Sequence, residues 1–273
     1  VRAAGFSLVE MLIALALGTL VAGAAFAILH SNQRSYQANQ GLNRVQENAR
    51  VAFELISRDL RAAGGSACSN IARPDAEHVN SAEETLFFNS PVSSATPATE
   101  FTAVSGDDTA YRVTNSTTSS ITLDPAQLAD ATEAFNVNDR LILCNANKLY
   151  VVRATAVTNT TVSFSPATPI ALTADPLAPA PTVMIARYRS TRWFAADDSL
   201  WVSRSGGARE EIAQGVRNMA VSYLENGAYT NAPANWTNVS AVRVNMTFVG
   251  QGADGATFTR NASNVVSLRS RTP

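Results

Sequence analysis

The sequence predicts an α+β protein in which a long N-terminal α-helix packs on a largely antiparallel β-sheet. Two observations carry this expectation. A helical hydrophobic pattern runs from Phe6 to Ala63, and after Cys68 short β-rich runs alternate with stretches of Ser, Thr, Pro and Ala.

The helix divides into two halves. From Phe6 to Leu29 the only charged residue is Glu10. At a rise of about 1.5 Å per residue this stretch is long enough to cross a bilayer. An ionised carboxylate near the membrane core costs roughly 2.5–3.5 kcal/mol even on a lenient scale, so Glu10 calls for a partner or a place near the interface. Beyond Leu29, the residues Leu42, Val45, Ala49, Phe53, Ile56 and Leu60 recur at helical spacing and mark a buried stripe. The opposite face carries Arg44, Glu47, Arg50, Glu54 and Arg58, with ion pairs expected for Arg50/Glu54 and Glu54/Arg58. Gly41 reads as an interruption. Gly64-Gly65 is a strong stop, because glycine adopts the left-handed conformation at a helix C-terminus without steric cost.

Strands are expected at Leu86–Phe88, Tyr111–Val113, Ile121–Leu123, Leu141–Leu143 and Leu149–Val157. Ser90–Ala98 and Asn115–Ser120 read as surface loops, and the Pro/Ala-rich segment Pro166–Pro181 as an internal linker or lobe boundary. Further strands fall near Val183–Tyr188, Arg192–Phe194 and Leu200–Val202, with a hairpin turn at Asp197-Asp198. Glu210–Ala213, Val216–Met219 and Val221–Leu224 lead to Asn226-Gly227, a stronger turn signal. Arg243–Val249 and Val265–Arg271 complete the set.

The remainder beyond the long helix is enough for one globular domain of about 200 residues with its own core. The formal charge of −1 gives no basic excess that would mark the chain for nucleic acid. There are two cysteines, Cys68 and Cys144. If the helix is an anchor and the rest lies outside the cytoplasm, an oxidising compartment favours their pairing, which would tie the exit of the helix to the middle of the sheet. Two separate buried thiols are the alternative. No nucleophile-elbow, phosphate-loop, zinc-protease or dinucleotide motif is present, so neither catalytic residue, metal nor cofactor is expected. His78 with Asp75, Glu77, Glu83 and Glu84 reads as a solvated loop sooner than a cation site, and Asp107-Asp108 and Asp254-Gly255 as turns. Trp193, Trp201 and Trp236 read as core or lobe-interface residues sooner than as a carbohydrate platform.

The run Gly5-Phe6-Ser7-Leu8-Val9-Glu10, followed by apolar residues, resembles the class III signal of type IV prepilins and of type II secretion pseudopilins. The resemblance implies cleavage between Gly5 and Phe6 by a prepilin peptidase, N-methylation of Phe6, and pairing of Glu10 with the terminal amine of a neighbouring subunit. A lone acid and a lone amine, each costly among apolar helices, would then offset one another. The competing reading is an ordinary signal peptide, with Leu8–Leu20 as its apolar core and cleavage after Ala25-Phe26-Ala27. Glu10 inside that core and a helical pattern running straight through Ala27 speak against it.

Three further stretches resemble the minor pilins of the PilW family: Val45–Gly64, Asp139–Cys144, and the C-terminal half from Leu200 through Glu211–Val216 to Ala241–Val244. The resemblance implies the pilin fold and four regions: a leader at 1–5, a transmembrane and filament-core half at 6–29, an amphipathic half at 30–63, and a β-rich head at 64–273. It implies a non-enzymatic minor pilin that takes part in initiating pilus assembly or in the tip complex. The partners implied are other minor pilins of the PilV, PilX and FimU kinds, the major pilin, the prepilin peptidase and the inner-membrane assembly platform. A PilY-type tip adhesin is a further candidate. The chain would sit in the inner membrane with its head in the periplasm before assembly, and on the pilus at the cell surface afterwards. A minor pseudopilin of the GspJ kind is the alternative, and a secreted protein released by signal peptidase a remote one.

Overall fold

The computed structural model describes residues 7–69, 72–73, 82–175 and 182–271. Helix α1 spans Leu8–Ala62. Its second half buries Gly41, Val45, Ala52, Ile56, Ser57 and Leu60, with Ala49, Phe53 and Leu55 packed beside them. The expected stripe is therefore present, with Gly41 in place of Leu42 as its first fully buried position. Fully burying side chains such as Ile56 and Leu60 contributes roughly 1.5–3 kcal/mol each, which fixes α1 to the head along this half. The charged face is exposed as expected, but its ion pairs differ. Arg50 pairs with Glu47 at 3.3 Å, and Arg58 reaches Asp108 of a neighbouring strand. A tertiary carboxylate here replaces the local partner Glu54.

The helix ends where predicted. Gly64 adopts φ +71°, and its N–H bonds to Val104 O at 2.8 Å, so the stop also docks the chain on the sheet. Gly41 is no interruption. A Cβ at this position would lie 2.0 Å from Gln251 O, so glycine is what allows the helix to approach that backbone.

One expected strand is a helix instead. Leu86–Phe88 lies within α2, Ala82–Asn89, with Glu83 and Glu84 in its first turn. Three apolar residues in a row do not distinguish the two periods, and the acidic first turn favours a helix start. Phe87 points into the core, whereas Leu86 is exposed.

The strands are β1 (Val92–Ser93), β2 (Glu100–Ser116), β3 (Ser120–Leu123), β4 (Arg140–Cys144), β5 (Leu149–Val157), β6 (Thr161–Ser165), β7 (Val183–Ala196), β8 (Ser199–Arg204), β9 (Arg209–Gln214), β10 (Val216–Glu225), β11 (Ala228–Thr230), β12 (Val239–Gln251) and β13 (Thr257–Ser267). Every pairing between them is antiparallel. Asp197-Asp198 and Asn226-Gly227 both take positive φ at the two central positions, the twist that tight hairpins require.

The first sheet runs β1-β2-β3-β6-β5-β4-β7-β8-β9, and β2 also pairs with β7. That extra pairing closes β2, β3, β6, β5, β4 and β7 into a six-stranded barrel. Val113 is the point of closure, paired with Leu123 on one side and Val183 on the other. Its interior holds Leu141, Tyr150, Val162, Phe164 and Ile185. The second sheet runs β11-β10-β12-β13. Helix α1 shares one core with this second sheet and with the parts of β2, β7 and β8 that extend beyond the barrel. The expected boundary at Pro166–Pro181 does not separate lobes, since β6 and β7 on either side belong to one sheet; its residues 176–181 lie outside the described residues. The change of sheet comes at Gly215, between β9 and β10.

Candidate functional site on the exposed half of the long helix

Ser7 caps α1. Its hydroxyl accepts from the Glu10 N–H at 3.3 Å, and the Glu10 carboxylate accepts from the Ser7 N–H at 3.1 Å. This reciprocal capping box satisfies two of the donors that a helix start leaves open. It also gives Glu10 a partner within its own chain, and it keeps the carboxylate at the positive end of the helix dipole. Glu10 thus stands at the end of the apolar stretch and not at its middle. Gly5 and Phe6 lie outside the described residues, so cleavage, methylation and the amine pairing of Glu10 are not visible here.

From Leu8 to Leu29 the side chains project into open space. Leu8 is 78% exposed and Leu29 61%, and the most apolar window of the helix, with mean hydropathy 2.5, has no residue buried against the rest of the protein. A continuous apolar surface of this size is far beyond what a soluble monomer carries, so it has to be covered by lipid or by other helices. By length and composition it is the one helix among the described residues able to cross a membrane. Its polar groups are suited to that setting: the Thr19 hydroxyl donates to Ala16 O at 3.0 Å within the helix. Residues 30–40 that follow are polar and mostly exposed, and the head first grips α1 at Gly41. Ser7 and Gly41 thus bracket the free half. Sequence reasoning missed the role of Ser7, although Ser-x-x-Glu before an apolar run is the capping-box pattern.

Cys68 and Cys144 are bonded, so the segment just beyond α1 is fastened to the end of β4. The link closes a separation of 76 residues, and it anchors the helix exit to the barrel wall.

Around the C-terminal turn of α1, charges converge. Arg189 of β7 lies 3.3 Å from Asp59, 3.6 Å from Asp108 and 4.0 Å from Asp107. The two adjacent aspartates sit in an irregular part of β2 between Gly106 and Ala110, which turns them toward the helix. They belong to a strand bulge, where a turn was expected.

The acidic segment is not one solvated loop. Glu83 bonds Arg140 at 2.7 Å and Glu84 is buried in α2, while Asp75, Glu77 and His78 lie outside the described residues. Among the described residues no three His, Cys, Asp or Glu side chains gather as a metal site. The tryptophans serve packing. Trp193 is buried, Trp201 lies under Arg209 at 4.2 Å, and Trp236 meets the ring of Tyr223 edge-on at 4.8 Å.

A family model described as the prokaryotic N-terminal methylation motif matches residues 1–26. No curated protein matches the chain. Among solved structures, a type IV-like pilin from Thermus thermophilus is similar at 10% identity, with 84% of this chain and 99% of that one covered and a TM-score of 0.39.

Proposed function

We propose that the chain is a minor pilin of a type IV pilus, processed between Gly5 and Phe6 and acting in the initiation of assembly or in the tip complex. The observation that carries this reading is the free apolar half of α1, Leu8–Leu29, joined to an N-terminal methylation motif over residues 1–26 and held by its other half to a folded head. Such a helix can be bound by lipid before assembly and by other helices afterwards, so one surface serves both states. On this reading Phe6 presents the methylated amine and Glu10 exchanges its Ser7 partner for the amine of a neighbouring subunit. The role is structural, with no catalytic step. Partners are the prepilin peptidase, the assembly platform, the major pilin and minor pilins of the PilV, PilX and FimU kinds, with a PilY-type adhesin at the tip. The head lies in the periplasm before assembly and on the pilus afterwards.

The test is an in-frame deletion strain in which sheared surface pili, twitching zones and secreted proteins are measured together, with N-terminal sequencing of the mature chain. Loss of pili with secretion intact, and a methylated start at Phe6, is the expected result. Intact pili with exoproteins retained in the periplasm would assign the chain to type II secretion instead. A start at Ile28 would exclude both.

A further inference from the structure

Arg140 of β4 and Arg153 of β5 stand directly opposite one another. On this hairpin the Ala154 N–H bonds Asp139 O at 2.9 Å and the Asn145 N–H bonds Lys148 O at 2.9 Å. Bonded and non-bonded pairs alternate along an antiparallel ladder, so the Arg140 pair is of the non-bonded kind. In such pairs the Cα atoms lie about 4.5 Å apart and the side chains are closest. Leu141 and Val152, next along each strand, point into the barrel, so both arginines point out of it. Like charges in this position destabilise a sheet. Only one of the two is neutralised. Glu83, in the first turn of α2, bonds Arg140 at 2.7 Å. Arg153 is exposed, and among the described residues its guanidinium makes no ion pair.

The two guanidiniums line a groove of about 250 Å³ in the barrel wall, together with the buried Val151, Pro166 and Ser165, which stands opposite Arg153 on β6. Among the described residues Glu83 is its one acid. The first sheet steps along α1 toward the helix C-terminus. Gln214 of β9 meets Asn48, Trp193 of β7 meets Asp59, and Val104 of β2 meets Gly64. β4, β5 and β6 follow β7 in the opposite direction from β9. The groove therefore lies at the end of the head away from the free half of α1, where other molecules can reach it.

We infer that this groove is a binding site for an organic monocarboxylate, seated between Arg140 and Arg153 with its carbon stem against Val151 and Pro166. Two arginines and one glutamate leave a single positive charge. One carboxylate balances it, whereas a phosphate dianion would overshoot it beside Glu83. Arg153 offers the planar fork that holds two carboxylate oxygens, and the Ser165 hydroxyl is a further donor. The apolar wall favours an anion that carries carbon over an inorganic one. A glutamate side chain of another protein and a free short-chain acid share this chemistry.

The test is thermal unfolding of the full-length protein in non-ionic detergent, at constant ionic strength set with chloride. The probes are butyrate, its neutral analogue butyramide, N-acetylglutamate α-amide and inorganic phosphate. A ligand that binds only the folded state raises Tm with its concentration. The two carboxylates should raise Tm by a few degrees, phosphate by less, and butyramide not at all. A larger response to the glutamate derivative would name a protein side chain as the source, and a larger response to butyrate a free acid. In Arg153→Gln the shift should be lost, while Tm in chloride alone equals or exceeds that of wild type because the opposed charge is gone. No shift with either carboxylate, an equal shift with butyramide or phosphate, or an equal shift in Arg153→Gln would overturn the inference. So would a lower Tm of that variant in chloride, because Arg153 would then already have its partner inside the chain.

Discussion

The indole Nε1 of Trp193 donates to Asp59 Oδ2 at 2.9 Å, joining the last turns of α1 to β7. Arg189, four residues earlier on the same strand, holds the other carboxylate oxygen at 3.3 Å. This joint sits above the shared core, where a partly buried carboxylate is retained because both oxygens have donors.

Burial raises the pKa of Asp59 above 3.8, against the opposing effects of the Trp193 bond and of Arg189, Arg204 and Arg58. The folded chain therefore takes up this proton more readily than the unfolded one. Asp59 lowers stability above its folded pKa, and that loss disappears as pH falls through the folded value toward the unfolded one. Thermal unfolding of wild type and Asp59→Asn, compared from about pH 7 to about pH 4, should show wild type gaining relative stability in acid. A difference independent of pH would refute this.

In an open helix, replacing Gly41 by Ala would stabilise the protein by roughly 1 kcal/mol. Here the new Cβ would meet Gln251 O at 2.0 Å. The sign should reverse, with a loss of about 1–3 kcal/mol from overpacking and a Tm lower by several degrees. Gly18 and Gly23, with nothing within 4 Å, provide the contrast, since alanine there leaves the head's unfolding unchanged.

Removing the Cys68–Cys144 link by a double Cys→Ser substitution should destabilise the head. On the chain-entropy model a closed loop of 76 residues sets an upper figure of roughly 4.5 kcal/mol. Denaturant titration of wild type with and without reductant, beside the double variant, measures it. Reduction should move wild type toward the variant and leave the variant where it is.

One substitution separates the capping contact that Glu10 makes with Ser7 from the subunit pairing proposed for it. Glu10→Gln retains an oxygen for the Ser7 N–H, so helix capping, membrane insertion and cleavage should persist, while incorporation into pili falls as it does in Glu10→Ala. Immunoblots of membranes and of sheared pili give the two readouts. Normal incorporation of either variant would remove the proposed pairing with a neighbour's amine.

Some of this was legible in the sequence because it depends on local periodicity and backbone stereochemistry. Apolar spacing and Gly64-Gly65 set the length and stop of α1, the run Gly5–Glu10 marked its start, and Asp197-Asp198 and Asn226-Gly227 marked hairpins. Alternation found most strands, though it merged poorly across β7 and β10, which are each one strand where two were read. Leu86–Phe88 failed because three apolar residues carry no period. The remainder was decided only by contacts between residues distant in the chain. Val113 paired on both sides makes a barrel of strands that look like an open sheet one at a time. Gly41 appears as a flaw until Gln251 lies against it. Arg58 finds Asp108 in place of Glu54 because a bulge in β2 brings the aspartate within reach. Arg140 and Arg153 become an opposed pair only once the register of β4 and β5 is known. Sequence alone determined which residues must leave water and where the chain must turn; which surfaces cover them, and which charges face one another, was left to the tertiary fold.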